Sequence, residues 1–259
     1  VQKEFLEPMV LKKNKDCRKI KKLSKLLAAA LAALTLMGLT ACGASAPADT
    51  TAAPAAADTT AAAGLDADVQ AIVDRGVLRV GVKNAVIGFG YQDPITGEYT
   101  GMEIDIAKAL ADQLGVDVEF TTVTAATRTE LLDSGDIDCV LATFTITDER
   151  KQSWDFTTPY YTDHVTVLVE DSSGIKSLAD LKDKLVGVSS GSTSARALTA
   201  AMIDAGVIEG TGFDKDTFDP ATWKDGIAFQ QFDDYPGIST ALAAGQVDAF
   251  CVDKSILAV

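Results

Sequence analysis

The sequence predicts an α/β fold with mostly parallel sheets, and two observations lead to this prediction. From about Leu65 onward, short runs rich in Val, Ile and Phe alternate with longer segments of helical periodicity. Strands that alternate with helices form βαβ units, in which the strands run parallel. With 47% hydrophobic residues, a chain of 259 residues is also long enough to build one or two compact domains with real cores.

The predicted elements follow one another along the chain. The predicted strands are VLRVGV (77–82), VDVEFTTV (116–123), DCVLATFTI (138–146), VTVLVE (165–170), KLVGVSS (184–190), IAFQQF (227–232) and VDAFCVD (247–253). The predicted helices are MEIDIAKALADQLG (102–115), TRTELLDSG (127–135), SLADLKD (177–183), SARALTAAMIDAG (194–206) and GISTALAAG (237–245). Turn signals in YQDPITGEYTG (91–101) predict a hairpin. The first helix has Ile106, Leu110 and Leu114 four residues apart, and Gly115 is expected to end it.

Polar clusters come directly after predicted strands. They are VKN (82–84), TAATR (124–128), TITDER (145–150), GSTSA (191–195), DDYPG (233–237) and VDKS (252–255). In open α/β sheets, ligands bind beyond the carboxyl ends of the strands, where helix N-termini supply free N–H groups. These clusters are therefore the candidate binding residues.

The segment ATFTITDER (142–150) carries the clearest candidate site. In an extended strand Thr143, Thr145 and Thr147 line one face, while Phe144 faces the core. Thr147 is expected to cap the next helical turn, from which Arg150 emerges at the edge of the crevice. Two hydroxyls and a forked guanidinium suit an anion. The alternative is a solvated arginine beside threonines that serve only as strand formers.

Two further charged residues narrow the ligand class. Arg128 opens the helix before this segment, so two guanidiniums face one crevice and a ligand with two negative groups is expected. Asp253 ends the last predicted strand and suits a cationic group, and capping of the turn that begins at Lys254 is the alternative. Together these charges describe an acidic amino acid.

The amino terminus predicts a targeting segment. A basic tract (12–25) precedes an apolar run of 15 residues (26–40), as in a secretory signal. The run ends in LTACG, which is similar to the bacterial lipobox and implies lipid attachment at Cys42. An Ala-, Thr- and Pro-rich tract to residue 65 is then expected to be a flexible tether. Residues 1–41 carry a net charge of +6 and the rest −20, which argues against nucleic-acid binding.

Cysteine usage predicts no metal site and no cofactor. Cys17 leaves with the signal segment, which leaves Cys139 and Cys251 among strand-like apolar residues. Buried cysteine behaves as a small hydrophobe, and no metal-ligand spacing is present. A disulfide between these two cysteines is left open.

From about Arg75 to Val259 the sequence resembles the amino-acid-binding proteins that serve ABC importers, the polar amino acid type of bacterial extracellular solute-binding protein. The resemblance rests on LRVGVK, GMEIDIAKALADQLG, LLDSGDIDCVLATFTITDERK, WDFTTPYY, GVSSGSTSA and GQVDAFCVDKS. It implies a two-lobed, type II periplasmic-binding-protein-like fold that closes by hinge motion. The implied division is a signal (1–41), a tether (42–65), a first lobe (66–164) and a second lobe (165–259), without the expected C-terminal return to the first lobe.

The resemblance also implies a role for each candidate residue. Thr143, Thr145 and Arg150 hold the ligand's α-carboxylate, with Ser192 and Thr193 contributing from the second lobe. Asp253 pairs with the α-ammonium group. Arg128 meets a side-chain carboxylate, as in aspartate- and glutamate-binding members, and Tyr235 is a further side-chain contact. Lys83 and Phe89 border the pocket and are the weaker candidates.

Two departures from the family pattern bear on the pocket. Val86 stands where some members have a stacking aromatic residue, and residues 208–227 resemble an insertion in the second lobe.

The implied function is delivery of glutamate or aspartate to an ABC permease by a protein that is lipid-anchored outside the cytoplasmic membrane. Cystine or glutamine binding is the alternative in the same fold, and so is a cyclohexadienyl-dehydratase-like enzyme. A hydrolase is disfavoured: GVSSG (187–191) fits a nucleophile elbow, but His164, the only histidine, precedes it, against the order of that fold. We therefore expect a binding protein and not an enzyme.

Overall fold

The computed structural model describes residues 65–257 and, before them, the backbone of two short strands at 4–7 and 10–12. The predicted signal segment and tether, with Cys17 and Cys42, lie outside the described residues apart from those two strands. The described residues from 72 onward, together with the two short strands, belong to one compact unit. Among the described residues, no helix is both long and apolar enough to cross a membrane.

The first lobe is built on a five-stranded sheet in the order β7-β3-β8-β2-β9. Its strands are β2 (Val10–Lys12), β3 (Val77–Val82), β7 (Asp117–Thr122), β8 (Cys139–Leu141) and β9 (Trp154–Phe156). Strand β3 runs parallel to both β7 and β8, as predicted, whereas β2 is antiparallel to β8 and β9. A small antiparallel sheet contains the predicted hairpin: β4 (Ala85–Val86), β5 (Gly90–Gln92) and β6 (Tyr99–Thr100).

The second lobe has a five-stranded sheet in the order β1-β10-β13-β11-β12. Its strands are β1 (Glu4–Glu7), β10 (Tyr161–Leu168), β11 (Leu185–Ser189), β12 (Ala228–Phe232) and β13 (Ala249–Asp253). Strand β11 is parallel to β12 and β13, whereas β10 is antiparallel to β13 and β1. The boundary predicted between the lobes, after residue 164, falls inside β10.

Six α-helices lie within residues 65–257. They are α1 (Ala67–Arg75), α2 (Met102–Leu114), α3 (Arg128–Ser134), α4 (Ser194–Asp204), α5 (Tyr235–Ala243) and α6 (Lys254–Leu257). Short 3₁₀ turns occur at Arg150–Gln152, Asp171–Ser173 and Leu178–Leu181. The last of these lies where the sequence predicts a full helix in SLADLKD; only the stretch capped by Ser177 and Asp180 forms.

Helix α2 ends as predicted but presents a different face to the core. Gly115 takes the left-handed conformation with φ 68°, which ends the helix at little steric cost. The fully buried apolar positions are Ile104, Ala107 and Ala111, not the predicted row at 106, 110 and 114, which is only partly buried. Since small alanines line this face, the helix approaches the sheet closely, and Glu103 in its first turn is buried with them.

Strand β8 is shorter than predicted, and this changes the threonine row. The strand ends at Leu141, and Thr143 has φ 46°, in the left-handed region. Strict alternation of side chains holds only in extended backbone, so the three threonines do not line one face of a strand. The prediction that DCVLATFTI is a single strand is therefore wrong beyond Leu141.

The segment 208–227, interpreted as an insertion, folds around its own aromatic residues. Phe213, Phe218 and Trp223 have ring centroids 5.5–5.8 Å apart, and Phe218 also meets Phe229 of β12. Aromatic pairs in tilted or edge-to-face arrangements add to the apolar burial. The segment is thereby attached to the second lobe's core.

The two cysteines of the described region are free and buried. Burial raises the pKa of Cys139 to about 12 and raises that of Cys251 as well. The Cys251 thiol donates to the Ser194 carbonyl over 3.7 Å. Both residues act as small core side chains, as predicted, and the disulfide left open does not form.

Candidate functional site

The candidate site begins in the turn after β8, at Thr143. The Thr143 N–H donates to Oε1 of Glu103 over 2.7 Å, and the Thr143 carbonyl accepts from Nη1 of Arg128 over 3.1 Å. Both side chains therefore hold the peptide groups of one residue. A β-branched residue in the left-handed region is strained, and surrounding contacts must maintain it.

Arg128, at the start of α3, is almost completely buried, with 2% of its surface exposed. Its Nη1 also donates to the Ala142 carbonyl over 2.8 Å, and its Cζ lies 3.8 Å from the centre of the Phe144 ring. The guanidinium thus stabilises the turn after β8 by hydrogen bonds to two consecutive carbonyls. The sequence predicted Arg128 as a ligand contact and did not foresee this second role.

Arg150 lies against the same ring and reaches the second lobe. Its Cζ is 4.4 Å from the centre of the Phe144 ring, and its Nη1 donates to the Thr145 carbonyl over 2.8 Å. Its Nη2 donates to the Gly191 carbonyl over 3.0 Å. The Thr147 hydroxyl accepts from the Arg150 N–H over 3.1 Å, as predicted for a capping residue.

Gly191 permits this close approach between the lobes. It has φ 74°, and a Cβ placed there would lie 2.7 Å from the Ala125 carbonyl oxygen. Any side chain at this position would push the lobes apart.

Ser192 and Thr193, the candidates from the second lobe, directly follow Gly191, which accepts from Arg150. Thr193 is buried and Ser192 half-buried at the turn between β11 and α4. Together with Arg150 they line a cavity of about 230 Å³. The structure therefore brings Arg150, Ser192 and Thr193 to one cavity wall.

Lys83 and Tyr235 form a second contact between the lobes. Lys83 follows β3 and is buried, and its Nζ lies 5.3 Å from the centre of the Tyr235 ring at the start of α5. Phe89 instead packs its ring edge-to-face on Tyr161, with centroids 5.0 Å apart, in an apolar cluster that includes Val86 and Ile238.

Asp253 is buried at the end of β13, opposite Val165 of β10. The capping role considered for it belongs to another acid. Asp163 in β10 accepts hydrogen bonds from the Ser255 N–H and hydroxyl, and so holds the start of α6.

Glu103 is the site residue that sequence reasoning missed. It is fully buried, and its Oε1 accepts from the Tyr160 hydroxyl over 2.6 Å as well as from Thr143. Burial raises its pKa, while these two hydrogen bonds and the charges of Lys83 and Arg128 oppose the rise. A signal was present, since an acid directly after Gly101-Met102 breaks the apolar face of α2.

In the region 65–257, no group of three or more His, Cys, Asp and Glu side chains is arranged to hold a metal ion. The polar groups described above are instead hydrogen-bond donors and charges at the wall of a crevice. Such a wall can bind a small charged solute without a metal.

Comparison with known proteins identifies relatives of this architecture. The model of the bacterial extracellular solute-binding proteins, family 3, matches residues 78–211. The glutamine-binding protein of Geobacillus stearothermophilus is 34% identical over 232 residues, which cover 88% of this chain and 80% of that protein. The glutamate-binding protein GluB of Corynebacterium efficiens is 31% identical over 242 residues, 89% of this chain and 68% of that protein.

A solved structure, the ancestral amino acid-binding protein AncCDT-1, a precursor of cyclohexadienyl dehydratase, matches with a TM-score of 0.58 and 32% identity. The match covers 73% of this chain and 74% of that one. Further relatives are L-cystine- and arginine-binding proteins. The predicted fold and family resemblance are confirmed.

The raised pKa of Glu103 predicts a pH dependence of stability. In the unfolded chain the carboxyl ionises near 4.5, whereas the folded protein holds its proton to higher pH. The contribution of Glu103 to stability is thus complete below 4.5 and is lost as pH rises through the folded-state pKa. Urea unfolding from about pH 4 to about pH 8 should show the wild type losing stability relative to Glu103→Gln as pH rises. Parallel curves for the two proteins would contradict this.

Proposed function

The chain belongs to the bacterial extracellular solute-binding proteins, family 3, and on that premise we propose that its ligand is an acidic amino acid, glutamate or aspartate. As a member of this family it is an amino-acid receptor of an ABC importer and acts outside the cytoplasm. Its relatives are transport proteins and not enzymes.

The observation that carries the acidic specificity is a group of three cations around the crevice. Arg128 and Arg150 lie on one aromatic ring, and buried Lys83 is close enough to Glu103 to affect its pKa. The buried carboxyls of the same region are Glu103, Asp163 and Asp253. Asp163 accepts from Ser255, and Glu103 accepts from Thr143 and Tyr160. A ligand with a side-chain carboxylate adds a negative charge beside the guanidiniums and Lys83, and such charge pairs are strong where water is excluded.

Each group then has a role in holding the ligand. Thr143, Thr145 and Arg150 receive the α-carboxylate, and Ser192 and Thr193 complete this contact from the second lobe. Asp253 receives the α-ammonium group. Arg128 and Lys83 supply positive charge for the side-chain carboxylate, with Tyr235 beside it.

Closure of the two lobes would complete the site. Support comes from two contacts that join the lobes, Arg150 to Gly191 and Arg196 to Glu149, the latter at 3.0 Å. Hinge closure removes water from the ion pairs and strengthens them. The closed form then delivers the ligand to the permease.

Glutamine is the second candidate ligand. Two relatives, 34% and 37% identical, are glutamine-binding proteins. A neutral amide would use the same α-carboxylate and α-ammonium contacts but would place no negative charge beside Arg128 and Lys83. Cystine, the ligand of another relative, is disfavoured for the same reason.

A thermal-shift titration with glutamate, aspartate, glutamine, cystine and arginine tests the proposal. Ligand at a hundred times its dissociation constant adds about 2.7 kcal/mol to the free energy of unfolding, which raises the melting temperature. We expect shifts with glutamate and aspartate only. A raised melting temperature with glutamine but not with glutamate would contradict the proposed acidic specificity. It would still agree with the function of an amino-acid receptor.

Arg150→Ala should abolish binding of every amino acid, because each ligand carries the α-carboxylate that this guanidinium receives. Loss of a charged hydrogen-bond pair corresponds to about 3–5 kcal/mol, or a more than hundredfold rise in Kd by calorimetry. Arg75→Ala is the matched control: it removes the same charge at the amino end of β3, away from the site, and should leave Kd unchanged. Equal effects of the two substitutions would contradict the proposed contact between Arg150 and the α-carboxylate.

Lipid anchoring at Cys42 is part of the proposal and rests on the LTACG motif. Metabolic labelling with a radioactive fatty acid in bacterial cells should label the wild type and recover it with the membranes. Cys42→Ser should lose the label, whereas Cys17→Ser, placed in the predicted signal segment, should keep it. Labelling that survives Cys42→Ser would place the anchor elsewhere.

A further inference from the structure

Thr143 has a backbone conformation that its own chemistry disfavours. Its φ is 46°, where a branched Cβ crowds the backbone, and a threonine occurs there only when its surroundings impose the conformation. Its Oγ1 is buried and has no hydrogen-bond partner among the described residues. A buried hydroxyl without a partner needs an explanation, and the carboxylate of a ligand that reaches this turn would supply the missing acceptor.

Two buried charged side chains impose the conformation, one on each side of the residue. Oε1 of Glu103 holds the Thr143 N–H, and Nη1 of Arg128 holds the Thr143 carbonyl. Glu103 is itself held in place, because its helix begins against the backbone of Phe89 and because Oε1 accepts from the Tyr160 hydroxyl. Glu103 has no exposed surface, and its carboxylate would repel the carboxylate of a ligand, so it acts on the ligand only through Thr143.

We propose that Glu103 is a positioning residue of the ligand site: by accepting the Thr143 N–H, its carboxylate keeps Thr143 left-handed and so presents the Thr143 hydroxyl to the ligand's carboxylate. The proposal rests on the proposed function, in which Thr143 receives the α-carboxylate. Tyr160 directly precedes β10, so the same carboxylate connects the binding turn to the strand that leads into the second lobe.

A double-mutant cycle separates this role from general packing. Glycine adopts positive φ freely, so Thr143→Gly removes the need for Glu103 to impose the conformation. Glu103→Leu removes the hydrogen-bond acceptor and replaces it with an apolar side chain of similar size. If Glu103 positions Thr143, Glu103→Leu lowers the affinity for ligand more in the protein with Thr143 than in the Thr143→Gly protein. If Glu103 only fills space, the substitution lowers the affinity equally in both.

Calorimetry of the full chain with glutamate, and with glutamine as a second probe, measures the cycle. We expect Glu103→Leu to raise Kd about tenfold or more in the Thr143 protein and less than about threefold in the Thr143→Gly protein. Glu103→Gln keeps a carbonyl acceptor in the place of Oε1 and should restore Kd to within about threefold of the wild type. Equal losses in both backgrounds, or no loss at all, would overturn the proposal.

The same four proteins are unfolded with urea in the absence of ligand. Glu103→Leu should lower the urea midpoint more in the Thr143 background than in the Thr143→Gly background. If the wild type binds neither probe, the proposed function fails, and this unfolding cycle still decides the role of Glu103. Additive midpoint shifts overturn the proposal, and a clear coupling supports it.

Discussion

The site depends on one constraint, the fixing of the Thr143 peptide between Glu103 and Arg128. Where β8 ends, the chain must leave the sheet without continuing as a strand, and the left-handed residue makes that change of direction. Phe144 then enters a small apolar cluster with Leu132 and Ile137. Thr145 follows with its carbonyl toward Arg150. A strained residue at the ligand end of a sheet is stable only because two buried charges hold it.

The Phe144 ring packs against the guanidiniums of both Arg128 and Arg150. Two guanidiniums within 4.4 Å of one ring centre would repel each other in an apolar site. Each instead donates to backbone carbonyls and lies against the ring, and a cation on an aromatic face contributes about 0.5–2 kcal/mol. Both arginines are therefore held in a fixed orientation before any ligand arrives. Such preorganisation lowers the entropy lost on binding.

The contacts between the lobes differ in how much they can contribute to the stability of the closed state. The Arg150 contact with Gly191 joins the proposed α-carboxylate site to the second lobe, and the absence of a side chain at Gly191 makes this contact possible. The Arg196–Glu149 pair joins the same two segments further out, where Glu149 is about half exposed. An exposed ion pair contributes at most about 1 kcal/mol. The closed state is therefore expected to draw its stability from the site and its ligand more than from the outer contacts.

Local patterns alone predict the alternation of strands and helices and the polar turns at the strand ends, including those that carry Arg150, Ser192 and Thr193. They suffice because the carboxyl ends of parallel strands share one edge of a sheet. The conformation of Thr143, the burial of Glu103 and the second role of Arg128 depend instead on contacts between distant parts of the chain. The Glu103–Thr143 hydrogen bond joins residues 40 positions apart, so no local pattern reports it. It overrides the extended backbone that alternating threonines favour locally.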